Sequence, residues 1–221
     1  MSYTREQLNN IPHILSEPRF ATYLQHCGND RTCALRLYQW NLEISSAFLL
    51  PLHLLEISLR NAVAESIENV YTPNWPWDQR FILSLPDRGR FSPRSNLQQV
   101  ARMQNPTVGK VVAELKFVFW EKMFTARHDV RIWNHHIKTA FPNSPQNMSV
   151  REIREKAFDD IFCIRGLRNR IAHHEPIFSR NLQEDYEKIH ELIEWRDQTT
   201  SDWMDSIQNV TNLIGQKPDT N

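Results

Sequence analysis

The sequence of 221 residues predicts a single all-α domain. Apolar residues recur at the three- and four-residue spacing of a helix along most of the chain, and no two alternating runs are joined by a hairpin turn. Apolar residues make up 40% and charged residues 24% of the chain, with only 5 Gly. This composition is typical of a globular protein with a substantial core, and it excludes a disordered, collagen-like or repeat architecture.

Cap signals and a proline organise the first part of the chain. Residues 16–27 are predicted to form a short helix, because Ser16 can cap its start and Pro18 suits its first turn. A long helix-forming stretch rich in Leu and Ala covers residues 31–71. Pro51 lies inside this stretch, so either one helix kinks there or two helices meet there.

The middle of the chain alternates between loops and helices. Residues 72–77 are predicted to form a loop because they combine proline with aromatic residues. Residues 85–95 are predicted to form another because they combine proline with Gly and Ser. Apolar residues at helical spacing predict one helix over residues 107–124 and another over residues 126–141.

Three further helices are predicted in the remainder. An S-x-x-E capping box begins a helix over residues 149–174, and Pro176 ends it. Asn181 can cap a second helix, residues 181–199, and Ser201 can cap a third. No repeat or linker divides the chain, so we expect residues 1–221 to form one domain.

The charge is balanced overall but unevenly distributed. Lys and Arg total 26, and Asp and Glu total 26. Residues 181–221, the acidic tail, hold 3 basic and 9 acidic residues, so they carry −6 and residues 1–180 carry +6. We interpret the tail as solvated faces of acidic helices. Because the total is zero, a nucleic-acid partner would have to bind a local basic patch.

Cysteine usage and hydropathy predict a cytoplasmic protein with no membrane contact. Cys27, Cys33 and Cys163 lack metal-ligand spacing and are odd in number, so we expect reduced thiols. The N-terminus lacks the apolar core of a signal peptide. The most apolar stretch, residues 47–57, is too short to span a membrane.

The segment 165–178, R-G-L-R-N-R-I-A-H-H-E-P-I-F, contains the strongest candidate site. On a helix of about 100° per residue, Ile164, Leu167 and Ile171 share one apolar stripe that should face the core. A continuous polar sector beside it holds Arg165, Arg168, Asn169 and His173. Guanidinium forks bind phosphate oxygens, imidazole exchanges protons near neutral pH, and Asn orients groups by hydrogen bonds. These residues suit phosphate chemistry without a metal or cofactor. The alternative is structural: cations at this helix end would stabilise its dipole.

A second polar stripe lies within the most apolar helix and comprises His53, Glu56, Arg60 and Asn61. Such charged groups need partners, because unpaired burial costs several kcal/mol. We expect Glu56 to support the site by pairing with Arg168. The alternative is an internal Glu56–Arg60 pair that only fixes packing.

Other chemistries lack their usual signals. The chain contains no H-E-x-x-H, paired C-x-x-C, G-x-x-x-x-G-K or G-x-S-x-G motif. The sequence therefore gives no support to a hydrolytic metalloenzyme, a nucleotide triphosphatase or a serine hydrolase.

Three segments together resemble the conserved regions of the Abi-like (abortive infection) proteins of bacteria. They are L-Y-Q-W-N at 37–41 with L-P-L-H-L-L-E-I-S-L-R-N-A at 50–62, G-K-V-V-A-E-L-K-F-V-F-W at 109–120, and L-R-N-R-I-A-H-H-E-P-I-F at 167–178. The resemblance covers about residues 19–182 and leaves the acidic tail outside it. The last segment also fits the R-x4-H pattern of the HEPN superfamily.

The resemblance implies a HEPN-like helical bundle with additional helices and a homodimer whose Arg/His helices face each other in a composite site. Many such proteins are metal-independent ribonucleases, and several act in phage defence or as toxins. Carried onto this chain, the motif assigns catalytic roles to Arg168, Asn169 and His173. The expected supporting residues are Glu56, Arg60, Asn61, His53, Arg165 and His174.

The expected function is therefore an endoribonuclease that cuts RNA in the cytoplasm, with an antitoxin or regulatory RNA as a further partner. Toxins paired with nucleotidyltransferase antitoxins have a Tyr two residues after the His, where this chain has Glu175. That departure argues against this pairing. The alternatives are a non-catalytic module that binds RNA, a nucleotide or a protein, and a plain helical scaffold.

Overall fold

The computed structural model describes residues 3–220, and all regular structure in that range is helical, which confirms the all-α class. The α-helices in chain order are α1 Arg5–Ile14, α2 Glu17–His26, α3 Arg31–Val70, α4 Gln79–Ser84, α5 Pro93–Ala101, α6 Val108–Glu114, α7 Phe117–Met123, α8 Asn134–Ala140, α9 Val150–Ala172, α10 Leu182–Arg196, α11 Gln198–Ile207 and α12 Val210–Gly215. Short 3-10 turns cover Trp75–Trp77 and Ala126–His128, and a π-helical turn covers Asp129–Trp133.

Helix α3 is the central element of the fold. Its 40 residues extend about 60 Å, and the Asp30 side chain caps its start by accepting the backbone N–H groups of Thr32 and Cys33. The helix continues through the buried Pro51, so the prediction of two separate helices is excluded. Helices α2, α8, α10 and α12 pack along it and cover its apolar side.

Within residues 3–220, α3 is the one helix whose length and composition would allow it to cross a membrane. This property does not distinguish a membrane span from the core helix of a globular protein. Sixteen of its residues are buried in this fold, among them the fully buried Leu37, Ile44 and Phe48. The absence of membrane contact stays a prediction.

The predicted helix over residues 107–124 is two helices, α6 and α7. Leu115 and Lys116 have extended backbone between them. The side-chain oxygen of the buried Asn96 accepts the Lys116 N–H at 3.4 Å, which satisfies an amide that lies outside the helices. The break is invisible in the apolar periodicity because it depends on this long-range partner.

The predicted helix over residues 126–141 is divided into a 3-10 turn, a π turn and α8. His128 and Trp133 are both buried, and their five-residue separation matches the spacing of a π turn. The Trp133 indole N–H donates to the Met123 carbonyl at 2.7 Å, and its ring stacks on Phe124. Packing of large side chains therefore overrides regular α-helical geometry here.

Other helix boundaries differ from the sequence prediction because different residues cap the helices. The sequence prediction missed α1, which begins at a capping box formed by Thr4 and Gln7. Asp197, not Ser201, caps α11. Ser201 is fully buried inside that helix, where its hydroxyl lies 3.1 Å from Nε2 of His190.

The prediction of three reduced thiols is wrong, because Cys27 and Cys33 form a disulfide. Gly28 and Asn29 both have positive φ and reverse the chain between α2 and α3. The turn brings the two cysteine Cα atoms to 5.8 Å, within the range that a disulfide can bridge. Cys163 is free and partly exposed.

The acidic tail packs on the core by its apolar faces. Buried residues of α10 include Ile189, Leu192 and Ile193, and eight of the nine acidic residues of the tail are at least partly exposed. The exception, Asp185, accepts two hydrogen bonds of 2.7 Å from Arg180. The interpretation of the tail as largely solvated acidic faces is therefore confirmed.

The buried His128 makes folding sensitive to acid. Burial, helped by the charges of Arg127 and Arg131, lowers its pKa to about 4. Because the unfolded imidazole takes up a proton near pH 6.5 and the folded one does not, stability should fall as the pH drops from about 6.5 to 4, by up to about 3 kcal/mol.

Urea unfolding at several pH values would measure this slope. His128→Leu should reduce it, whereas replacement of the exposed His135 should leave it unchanged. An identical slope in wild type and His128→Leu would contradict the assignment.

Candidate functional site

The end of α9 presents the segment that contains the Arg/His motif. Ser149 and Glu152 form the expected capping box at its start. The predicted apolar stripe is buried, with Ile164, Leu167 and Ile171 facing the core. Helix α9 packs mainly against α7, α8 and α10, which holds it beside α3 with an open groove between them.

Arg168 lies in this groove opposite Glu56. Its Nε is 3.7 Å from a Glu56 carboxylate oxygen, and the two side chains are 43% and 28% exposed. The structure therefore contains the predicted Glu56–Arg168 contact. The groove has a volume of about 280 Å³ and is lined by Leu49, Leu52, His53, Glu56, Arg168, Ile171 and Ala172.

Asn169 and His173 lie outside the residues that line this groove. His173 is the C-cap of α9, and its backbone N–H donates to the Asn169 carbonyl at 2.9 Å. Its side chain is exposed, and neither of the two side chains makes a hydrogen bond within the described range 3–220. One chain thus directs Arg168 towards α3 and leaves the His173 imidazole in solvent.

Arg165 has a different role from the one predicted. Its Nε donates to the carboxylate of Glu121 on α7, and this glutamate is fully buried. Lys122 Nζ lies 3.0 Å from the other carboxylate oxygen, and the Arg165 guanidinium lies 5.3 Å from the Phe162 ring centroid. Arg165 therefore stabilises a buried charge between α7 and α9 and does not extend the Arg168 site.

Arg60 and Asn61 do not line the groove that contains Arg168. They line another groove, of about 220 Å³, together with Glu65 and Trp75. Glu56 pairs with Arg168, and no Glu56–Arg60 ion pair forms between these described side chains. Of the second polar stripe, His53 and Glu56 reach the groove beside Arg168.

His174 ends the helix. Its φ is +56°, in the left-handed region, and its N–H donates to the Ile171 carbonyl at 3.0 Å. The next N–H, that of Glu175, donates to the Arg170 carbonyl at 2.8 Å, which completes a Schellman motif. The His174 carbonyl accepts Arg19 Nη1 at 3.2 Å, so this residue acts through its backbone.

Sequence reasoning missed two residues that position the motif. The side-chain oxygen of the buried Asn41 accepts the Ile177 N–H at 2.8 Å and fastens the chain after α9 to α3. Glu121 holds Arg165. Each occupies the apolar side of its helix, because the residues three and four before it and three after it are apolar, and that position is the signal that could have identified both.

The described residues contain no group of three or more His, Cys, Asp or Glu that could hold a metal ion. Comparisons with protein-family models, curated proteins and solved structures found no match to this chain. The functional inference therefore depends on the motif and its geometry.

Breaking the Arg165–Glu121 pair should destabilise the protein. Arg165→Met removes the stronger partner of a buried carboxylate and should cost about 2–4 kcal/mol in urea unfolding. Glu121→Gln in the same chain should restore part of that loss, because the buried charge is gone.

Arg151→Met is the matched control, because its partner Glu155 is exposed, and it should leave the unfolding midpoint nearly unchanged. If the changes in unfolding free energy for Arg165→Met and Glu121→Gln simply added in the double variant, the result would contradict the pairing.

Replacing His174 by Gly should stabilise the fold by about 0.5–1 kcal/mol, since Gly adopts positive φ without steric cost. Thermal unfolding would measure the gain. Gly28→Ala is the reverse control: its φ is +57° with nothing near the added Cβ, so a loss is expected from backbone strain alone. A destabilised His174→Gly would show that the imidazole contributes contacts of its own.

Proposed function

We propose that this protein is a metal-independent endoribonuclease of the HEPN type, which acts on RNA in bacterial phage defence. The observation that supports the proposal is the Arg168 guanidinium at the groove. It is nearly half exposed and contacts Glu56 only at 3.7 Å. An exposed pair at this distance is weak, so the guanidinium is free to bind phosphate.

The roles follow from the side-chain chemistry. Arg168 would stabilise the charge that develops on the phosphoryl group. His173 would transfer a proton to or from the ribose 2′-OH or the leaving 5′-oxygen, and Asn169 would orient these groups. Because the 2′-OH is the nucleophile, RNA is the substrate and DNA is not cut. Such a substrate agrees with a cytoplasmic location.

The complete site would need two copies of the chain. Of the two residues, only Arg168 lines the groove, and the exposed His173 follows the last turn of α9 as its C-cap. In a homodimer, the exposed His173 of one copy can meet the Arg168 of the other. Leu49, at the edge of the groove, and Leu42, two turns earlier on α3, are both more than half exposed and offer apolar surface beside it.

The second candidate is a non-catalytic HEPN-type module that binds RNA, a nucleotide or a protein, such as an antitoxin, through the same groove. It is favoured by the lining of the groove, which includes Arg168 but not His173. Binding by wild type without cleavage of any RNA tested would support this candidate over the nuclease.

His173→Ala should lower cleavage of single-stranded RNA, measured with chelator present, by at least about 100-fold. Because the side chain is exposed, the thermal midpoint should not change. A marked loss of stability without a separable activity would instead indicate the helical scaffold.

Arg168→Lys should retain more activity than Arg168→Ala, because it keeps the charge but loses the planar fork. His135→Ala, an exposed histidine on α8, is the control for a general histidine effect. Full activity in His173→Ala would disprove the assignment.

A further inference from the structure

The basic surplus of the chain lies in a central segment rather than around the Arg168 motif. Residues 79–140, the basic segment, contain 11 basic and 4 acidic residues and carry +7. The remaining chain contains 15 basic and 22 acidic residues and carries −7. The zero net charge therefore conceals a strongly basic region that the proposed nuclease site does not use.

Two parts of the basic segment meet at a pocket. Arg127, in the 3-10 turn, contacts the last residue of α4, since its Nη1 lies 3.5 Å from the Ser84 carbonyl. The pocket between them has a volume of about 430 Å³ and is lined by Leu85, Pro86, Asp87, Arg88, Arg94 and Arg127. Three guanidinium groups thus surround one open cavity with a single carboxylate.

Arg94 has a structural role at this pocket. Its guanidinium donates to the carbonyls of Ile82, Leu83 and Leu85 at the end of α4. It also lies 3.5 Å from the Asp87 carboxylate. Asp87 is therefore engaged by Arg94, and it further accepts the Ser92 and Ser95 hydroxyl groups.

The carboxylates nearest in sequence to Arg127 and Arg131 also pair with other residues. Asp129 accepts the Nε of Arg154 at 2.9 Å, and Glu121 pairs with Arg165. Across residues 3–220, no carboxylate lies within 4 Å of Arg88, Arg127 or Arg131, and we call the first two, which line the pocket, the arginine patch. All three are exposed.

The neighbouring His128 responds to this positive charge. It lies between Arg127 and Arg131 in the chain, and both arginines add to the effect of burial in lowering its pKa. Arg131 belongs to the π turn, a form of helix often found at functional sites. The irregular backbone therefore presents two unneutralised guanidinium groups within five residues.

We propose that the arginine patch and its pocket bind the phosphate groups of an RNA strand, at a site distinct from the Arg168 groove. Planar guanidinium groups donate paired hydrogen bonds to phosphate oxygens and remain charged at all physiological pH values. Contacts of this kind hold and orient a strand without reading its sequence. The choice of RNA rests on the proposed function, but the phosphate site itself does not.

The test is binding of the full chain to a labelled 20-nucleotide single-stranded RNA with 2′-O-methyl riboses, which cannot be cleaved through the 2′-OH. Fluorescence anisotropy would be recorded across a salt series for wild type and for R88A/R127A. The variant should bind about tenfold more weakly, and the slope of log affinity against log salt should fall by about 1.4.

The control variant R5A/R102A removes two exposed arginines outside the pocket and changes the net charge equally. An equal loss in that control, or none in R88A/R127A, would overturn the proposal. The proposal would also be overturned if R88A/R127A lost binding to anionic lipid vesicles but kept its binding to RNA. An equal loss on single-stranded DNA of the same length supports it, because the contacts are to phosphate.

Failure of this proposal and failure of the nuclease assignment give different results. If R88A/R127A weakens binding while wild type cuts no RNA, the phosphate site at the arginine patch is supported and the nuclease assignment is rejected. If His173→Ala abolishes cleavage while R88A/R127A binds RNA normally, the nuclease assignment is supported and the phosphate site at the arginine patch is rejected.

Discussion

A 40-residue helix that carries a continuous apolar side has to be covered along its whole length, and the rest of this structure satisfies that requirement. Local hydrogen bonding gives a helix little stability of its own in water, so α3 depends on tertiary packing. Helices α2, α8, α10 and α12 supply it. Pro51 leaves the Ala47 carbonyl without its intrahelical donor, and burial of the proline ring in that packing offsets part of the cost.

The geometry of the candidate site follows from this arrangement. Helix α9 reaches the core through α7, α8 and α10, so its last turns lie beside α3 without closing against it. The space that remains is the groove in which Arg168 faces Glu56. A tighter crossing of α9 and α3 would bury this ion pair, and the guanidinium would then be unable to meet a phosphate.

Local signals in the sequence were enough for the fold class and the capping box of α9, whereas the Glu56–Arg168 contact was expected because a charge within an apolar helix needs a partner. They failed where distant partners decide the conformation. Apolar spacing cannot show that Asn96 binds an amide between α6 and α7, or that Trp133 forces a π turn. The partner of Arg165 was likewise hidden, because helical spacing gives the direction of a side chain but not the helix opposite it.

The hydrogen bond from Ile177 to Asn41 has a mechanical consequence. The segment after α9 has no regular structure, yet it is fastened to α3 by this buried bond, and Phe178 packs on Tyr23 of α2 with ring centroids 5.0 Å apart. The C-terminal end of α9 is therefore anchored to α3 through the segment that follows it, and the part of the groove lined by Arg168, Ile171 and Ala172 lies next to this anchor.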